Sequence, residues 1–553
     1  MEAGNLSEKM SLQINAAVRN LLSQQDTDPY SPTRGCFDRR YWAWKLVDYP
    51  EATYQRNVQP LAELWADPKS RFHKAPEVLD AVLGGLEYST SIQHSDGSFD
   101  QAFPQEHSFT ATAFLLHSLL AAFSLVYQHM DSSLRIRVED SLRRATVFIC
   151  EHDERHGHIA NHLAGAVLAL LCSAEYFDEE RFRSRAEAIL EGILRHQSSE
   201  GWFLEYEGAD PGYQTLCLYY LAQVYEKTPG DPLRKALDRA IRFIAHFVHP
   251  DGTFAGEYGS RRTAVFYPGG LALLSQEFSM ARSITQAMCR SICAGDTVSL
   301  GEIDMGNMAP LLSNYISALQ TEICAEEGST PGLPWEQLKL RENFPEAGLY
   351  IRGTDKYYSI LGVSNGGVLK IFDKSRRRVL WNDGGYVGKL KNGTLVTTQI
   401  TSSDRPCVVN EVEISLTSSF YRVLHLSPTP LRFILLRLLN LTLMRSVRLG
   451  NVIKKGLVRL MISGKHPCSI KLERKVRFED KRVIVEDRLS KSRRLEVKWL
   501  EFGYKFIGIH MASAGYFEKS QVKRLFSPPK IDVVRLNEEQ HMDVRVVIEG
   551  SHA

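Results

Sequence analysis

A phrase that recurs through the first 325 residues constrains this chain more than anything else in it. A Gly-containing turn with an aromatic or apolar residue is followed by a short polar stretch and then by a helix rich in Ala and Leu. Asp96-Gly97-Ser98-Phe99 precedes SFTATAFLLHSLLAAF, and Gly157-His158-Ile159 precedes NHLAGAVLALLCSAEYF. Gly201-Trp202-Phe203 precedes GYQTLCLYYLAQVY, and Asp251-Gly252-Thr253-Phe254 precedes YPGGLALLSQEF. The four glycines are 60, 44 and 51 residues apart, the length of one helical hairpin with its loops. Between them lie amphipathic segments such as DSSLRIRVEDSLRRATVFIC and RKALDRAIRFIAHFV, apolar on one helical face and charged on the other. Fainter units flank these at 38–65 and 301–320. Five or six such hairpins around an axis predict an α/α toroid with the apolar helices inside, because only the inner ring is covered on both sides. The polar turn residues then line one rim, which forms a cleft.

The pattern changes after the toroid, which is expected to span 1–325. Residues 326–348 carry Pro, Gly and charges and read as a linker. From 349 to 553, segments such as KLERKVRFEDKRVIVEDRL alternate apolar and polar residues and are punctuated by Asn-Gly and Asp-Gly turns, which predicts an antiparallel β-sandwich. The fold class is therefore α+β with two domains. Inside the second lies a basic apolar segment at 430–465. No acidic residue occurs between Glu413 and Glu473, while ten Lys or Arg do. Such a segment could lie at a membrane surface, attracted to anionic lipid; the blander expectation is a helix packed on the sandwich with its arginines reaching solvent.

Composition excludes several classes. Lys plus Arg is 67 against 65 for Asp plus Glu, a net charge of +2, so no overall field points to nucleic acid. The nine cysteines are scattered through apolar helical sequence and read as reduced core thiols, with Cys289 and Cys293 sharing a helix face but lacking a second pair at zinc-site spacing. The amino-terminal stretch has two acids in its first eight residues and no basic-then-apolar order, so it does not read as a secretory signal, and a cytoplasmic location is expected, with peripheral contact at the inner membrane surface as the alternative if 430–465 is exposed. No transmembrane span is expected, the longest apolar candidates being broken by Arg432, Arg437 and Arg445.

Three clusters fall on the expected rim. Asn161 and His162 open an inner helix, where an amide and an imidazole beside a helix amino terminus suit an anion. Tyr213 follows Pro211-Gly212 and opens the next inner helix, after Glu205, Tyr206 and Glu207. Tyr258, Arg261, Arg262 and Tyr267 repeat the arrangement once more. Aromatics stack on sugar rings and arginines pair with carboxylates, so the rim suits an acidic poly- or oligosaccharide; the same aromatics could instead pack the turns onto the toroid.

A toroid, then a β-sandwich, with an Asn-His pair on one inner helix and a Pro-Gly-Tyr 52 residues later, resembles the layout of heparinase II/III-like and oligo-alginate-type polysaccharide lyases, and of dermatan sulfate epimerases. The resemblance implies a reaction at C5 of a uronic acid. It implies that Asn161 and His162 neutralise the substrate carboxylate and that Tyr213 acts as general acid or base, with Tyr267 and His107 as further catalytic candidates and His94 and His158 behind His107. Trp202, Glu207, Tyr258, Arg261, Arg262 and Asn365 are the candidate substrate contacts. In one respect the chain departs from that family, which usually supplies a further His from an early β-domain strand; here the segment reads Gly362-Val363-Ser364-Asn365-Gly366, and an Asn is no base at neutral pH.

The favoured activity is β-elimination by a lyase. The alternatives are a uronate C5 epimerase in polysaccharide biosynthesis, an inverting glycoside hydrolase using rim carboxylates such as Asp96, Asp100, Glu106, Glu205, Glu207, Asp210 and Glu257, and a non-catalytic glycan-binding relative. No cofactor or resident metal is called for, although a divalent cation bridging an acidic side chain to the substrate carboxylate would be compatible with the rim.

Overall fold

A computed structural model describes residues 3–45, 47–155, 157–322, 330–402, 405–423, 429–445, 449–450, 453, 456, 465–503 and 528–550. The amino-terminal part is a closed toroid of six helical hairpins. Its inner ring is α3 (Val58–Ala66), α5 (Phe109–Val126), α7 (Ala160–Phe177), α9 (Pro211–Lys227), α11 (Pro268–Leu274) and α13 (Met305–Gln320), each packed on the next and α13 returning to α3. The outer ring is α1 (Ala3–Gln24), α4 (Pro76–Ser91), α6 (Ser132–Glu151), α8 (Glu180–Arg195), α10 (Asp231–Ala245) and α12 (Ser279–Ala294). The short α2 (Arg39–Trp42) lies in the first connection. Inner helices are buried nearly all round and outer ones along one stripe, as the composition of each demands. Among the described residues α5 with the 3-10 turn that follows it, Phe109–His129, is long and apolar enough to cross a membrane, contrary to the expectation that no segment would be, but its apolar window is 83% buried inside the toroid.

Local signals set these ends. Ser108, Asp131, Asp210 and Asp304 cap α5, α6, α9 and α13 with side-chain oxygens, and Pro opens α4, α9 and α11. The repeated glycine turns are also hydrogen-bonded alike. Gln93 Nε2 donates to the carbonyls of Gly97 and Ser141 at 2.9 and 2.8 Å, and Gln197 Nε2 to those of Gly201 and Ala236 at 3.0 and 2.8 Å. Gln25 does the same to Gly35 and Ala81, so a further repeat turn lies at Gly35, just before the faint unit read at 38–65. The turn needs glycine: Gly97 has φ +89°, and a Cβ there would sit 2.2 Å from the Arg144 carbonyl oxygen.

The second part holds thirteen described strands in two antiparallel sheets. The first has the order β1 (Leu340–Phe344), β2 (Leu349–Gly353), β3 (Tyr357–Gly362), β4 (Val368–Asp373), β5 (Arg378–Asp383). The second has the order β12 (Val497–Phe502), β6 (Tyr386–Leu390), β7 (Leu395–Thr397), β9 (Glu413–Val423), β10 (Pro467–Phe478), β11 (Arg482–Lys491), β13 (His541–Glu549), with β8 (Cys407–Val409) on β9. Residues 340–344, read from sequence as linker, form β1. The second sheet alternates buried and exposed residues as expected, but every residue of β2, β3 and β4 is buried. The reason is that the first sheet is a middle layer: Leu349, Ile351, Tyr358, Ile360 and Phe372 join the toroid core, while Leu361, Leu369, Ile371 and Trp381 join that of the second sheet.

In helix α14 (Pro430–Leu441) Asn440 is the one buried residue, and Arg437 pairs with Asp48 of the toroid at 2.6 Å. The stretches of the basic segment at 446–448, 451–452, 454–455 and 457–464 lie outside the described residues. Among the described residues seven cysteines are free thiols, whereas Cys289 is disulfide-bonded rather than reduced.

Between the sheets, the buried Arg474 reaches both Asp487 oxygens at 2.7 Å and Asp383 Oδ2 at 2.6 Å, and Tyr386 donates to Asp487 Oδ2 at 2.7 Å. A charge triad of this kind is costly to break from one side, because the carboxylates stay behind without a counterion. Arg474→Ala should lower stability by about 3–5 kcal/mol, read as a fall in the urea midpoint; an unchanged midpoint would show the triad to be dispensable.

Candidate functional site

Two neighbouring inner helices begin side by side at the rim, and each offers a polar residue in its first turn. On α7 these are Asn161 and His162; on α9 the residue three places in is Tyr213. Asn161 is buried and held by one partner: its backbone N–H donates to Glu205 Oε1 at 2.9 Å and its Nδ2 to Glu205 Oε2 at 2.7 Å. Burial pushes the Glu205 carboxyl up to about 8 against the opposing pull of those two hydrogen bonds, so at neutral pH it is largely protonated.

His162 is oriented by a carboxylate. Its Nδ1 lies 3.1 Å from Glu154 Oε2 and 2.8 Å from Thr110 Oγ1, whose hydroxyl donates to Glu154. With acceptors on both sides, the network assigns the ring proton to Nδ1 and leaves Nε2 as the basic nitrogen. Beside it stands Tyr206, with ring centroids 6.2 Å apart and φ +60°. The Arg261 guanidinium covers the Tyr206 ring at 3.6 Å. Burial raises the Tyr206 phenol, the guanidinium working in the opposite direction, so the group is neutral at physiological pH.

Tyr213 and Arg261 come from different hairpins and are joined by Asp210. Its Oδ1 accepts the Tyr213 N–H at 3.0 Å, and its Oδ2 accepts those of Arg261 at 2.8 Å and Thr263 at 3.4 Å. The Ser260 N–H donates to Ala209 O and its hydroxyl to Glu205 O, fastening the same loop.

Asn161, His162, Tyr213 and Arg261 are thus the sequence candidates found at this rim. Others are elsewhere or occupied. Tyr267 is fully buried as the residue before α11, with its N–H on Thr215 Oγ1. Tyr258 is buried against His249, whose Nε2 is 2.7 Å from its hydroxyl. Arg262 is buried near Glu257, and burial presses its guanidinium pKa down. Trp202 donates to Glu200, and Glu207 pairs with Lys465 at 2.8 Å. Asn365, entirely buried, donates to the carbonyls of Glu257 and Gly259, so it fastens the β3–β4 turn of the first sheet to the toroid. His107 lies with Asp96 and Ser98 and stacks on His94, while His158 stacks on His196.

The rim carboxylates are engaged as well. Asp100 accepts three backbone N–H groups, Glu106 accepts two, and Glu257 pairs with the buried Lys370 and takes a hydrogen bond from Asn382. Among the described residues no cluster of three or more His, Cys, Asp or Glu is placed to hold a metal ion. Tyr206, read from sequence only as part of a rim cluster, stands at the site through a left-handed backbone that no residue type announces, and Glu154, which sequence reasoning passed over, reaches the site from a loop eight residues before His162.

Residues 69–271 match the ulvan lyase N-terminal domain family, a span that contains every residue of this cluster. In shape the chain is similar to the chondroitin AC lyase of Streptomyces coelicolor A3, solved in complex with chondroitin sulphate, with a TM-score of 0.55 and 13% identity. The chain has the fold of a polysaccharide lyase. That agrees with the resemblance read from its sequence. The likeness covers 88% of this chain and 66% of the chondroitin lyase. The chain is also 26% identical over 185 residues to drimenyl diphosphate synthase of Streptomyces showdoensis, of which it spans 32%.

The raised carboxyl of Glu205 has a measurable consequence. An unfolded Glu titrates near ~4.3, so between there and about 8 the folded protein holds a proton that the unfolded chain has lost. Stability contributed by this group is therefore present at low pH, falls as pH rises through that window, and is level above it. Thermal melting of Glu205→Gln from pH 5 to 8 should show a shallower decline than the parent; parallel curves would contradict the assignment.

Proposed function

We propose that the protein is a polysaccharide lyase that cleaves a uronate-containing glycan by β-elimination. The observation that carries the reading is the pairing of a carboxylate-oriented imidazole, His162, with a phenol, Tyr213, at the same place on adjacent inner helices, beside an arginine. The family match and the chondroitin lyase fold support the same class of substrate, an acidic polysaccharide such as ulvan or chondroitin.

In this reading the uronate carboxylate sits against the Arg261 guanidinium and the remaining Nδ2 hydrogen of Asn161. Neutralising that carboxylate makes the adjacent C5 proton more acidic. His162 Nε2 takes the proton, the C5–H electron pair becomes the C4=C5 double bond, the C4–O4 bond breaks, and the Tyr213 hydroxyl protonates the departing O4. Glu154 stabilises the imidazolium that forms, in the way a buried carboxylate supports a catalytic histidine elsewhere. A protonated Glu205 keeps one negative charge away from an anionic substrate. Tyr206 and Arg261 form the wall against which the sugar is held. No part of this calls on Asn365, which accounts for an activity without a histidine there.

The test is proton NMR in heavy water with a panel of ulvan, chondroitin, heparan and alginate oligosaccharides. A vinylic signal from a 4,5-unsaturated uronate is expected, lost by at least roughly a hundredfold in rate in Tyr213→Phe and in His162→Ala, with glycan binding retained. Deuterium entering C5 without chain cleavage would replace the lyase by an epimerase, and new reducing ends without the vinylic signal would move the chemistry to hydrolysis.

A further inference from the structure

Helix α14 wears its apolar side outward. Leu431, Ile434, Leu435, Leu438 and Leu441 recur at helical spacing and are each between 55% and 76% exposed, so they form one aliphatic stripe facing away from the protein. The opposite side is the one that docks: Arg437 pairs with Asp48 and lies over the Tyr49 ring at 5.6 Å, and Asn440 is buried. A soluble surface helix shows the reverse order. The sequence that carries the helix is basic, with ten Lys or Arg and no acid between Glu413 and Glu473.

We propose that α14 is a membrane-surface helix, which lays its stripe into the boundary between headgroups and acyl chains of a bilayer containing anionic phospholipid. Aliphatic residues on one face supply the insertion, and the excess of cations in this stretch of sequence supplies attraction to a negative surface. The helix exists before it meets lipid: Pro430 occupies its first position and the Thr429 hydroxyl caps it by accepting the Arg432 N–H at 3.4 Å. Binding therefore does not have to order it, unlike an amphipathic segment that folds on contact. The basic segment is fastened to the toroid at two places, Arg437 on Asp48 and Lys465 on Glu207.

The measurement is co-sedimentation of the full chain with vesicles of phosphatidylglycerol mixed into phosphatidylcholine, and with phosphatidylcholine alone. Binding to the mixed vesicles only is expected, weakening as salt is raised. The double variant Ile434→Glu/Leu438→Glu should bind them at least roughly tenfold more weakly, because it removes apolar insertion and adds like-charge repulsion, at an unchanged melting temperature. Absence of sedimentation with the anionic vesicles would overturn the proposal, as would equal binding by the double variant. A parent that is dimeric in solution and a double variant that is monomeric would assign the stripe to a second copy of the chain instead.

Discussion

One buried carboxylate holds the working edge of this molecule together. Asp210 accepts the N–H that starts α9 and, through its other oxygen, the N–H groups of Arg261 and Thr263 from the following hairpin. The fit is close on every side. A Cβ on Gly259 would stand 2.6 Å from Asp210 Oδ2, and one on Gly212 would stand 2.4 Å from the Thr263 carbonyl oxygen. Burial raises the Asp210 pKa while these backbone donors work to lower it, which is the balance expected of an anion whose solvation has been handed to fixed N–H groups. Without this tie, Tyr213 and the guanidinium over Tyr206 would belong to two independent loops.

The same economy extends to the boundary between toroid and sheets. Glu257, one turn earlier in the Arg261 loop, meets Lys370 and Asn382 of the first sheet, and its carbonyl accepts from Asn365. Tyr358 donates across to the His246 carbonyl at 2.6 Å. Because both faces of this sheet are covered, its polar residues are pairing partners for the toroid loops and not solvent contacts. The β domain thus positions the cleft from behind, and the groups proposed for chemistry all come from the toroid.

How far the sequence revealed this follows from which signals are local. Gly97, Gly157, Gly201 and Gly252 mark the repeat because a turn with positive φ leaves a glycine in the text, and Asn161, His162 and Tyr213 could be placed because they open helices whose starts are written in neighbouring Pro, Asp and Ile residues. What was not legible depends on contacts between distant segments. Asn365 sits in a glycine-rich strand connection suggestive of a site, yet its partners are carbonyls some hundred residues away. Tyr258 and Tyr267 repeat the pattern of rim aromatics, and only the packing of adjacent hairpins shows them to be buried. The two-sided burial of β2 to β4 could not be read because continuous apolar character and alternation blend in short strands. The outward face of α14 was half visible: its composition suggested lipid, but periodicity alone does not say which face is covered.

The proposed elimination requires an acidic sugar to bind across the amino termini of α7 and α9, between His162, Tyr213 and Arg261. A crystal structure of the Tyr213→Phe protein with a uronate oligosaccharide tests it most directly. The expected result is a uronate carboxylate paired with Arg261 and within hydrogen-bond reach of Asn161, with C5 facing His162 Nε2. An oligosaccharide bound away from this rim, or lying across it with its carboxylate turned to solvent, would rule out this binding mode.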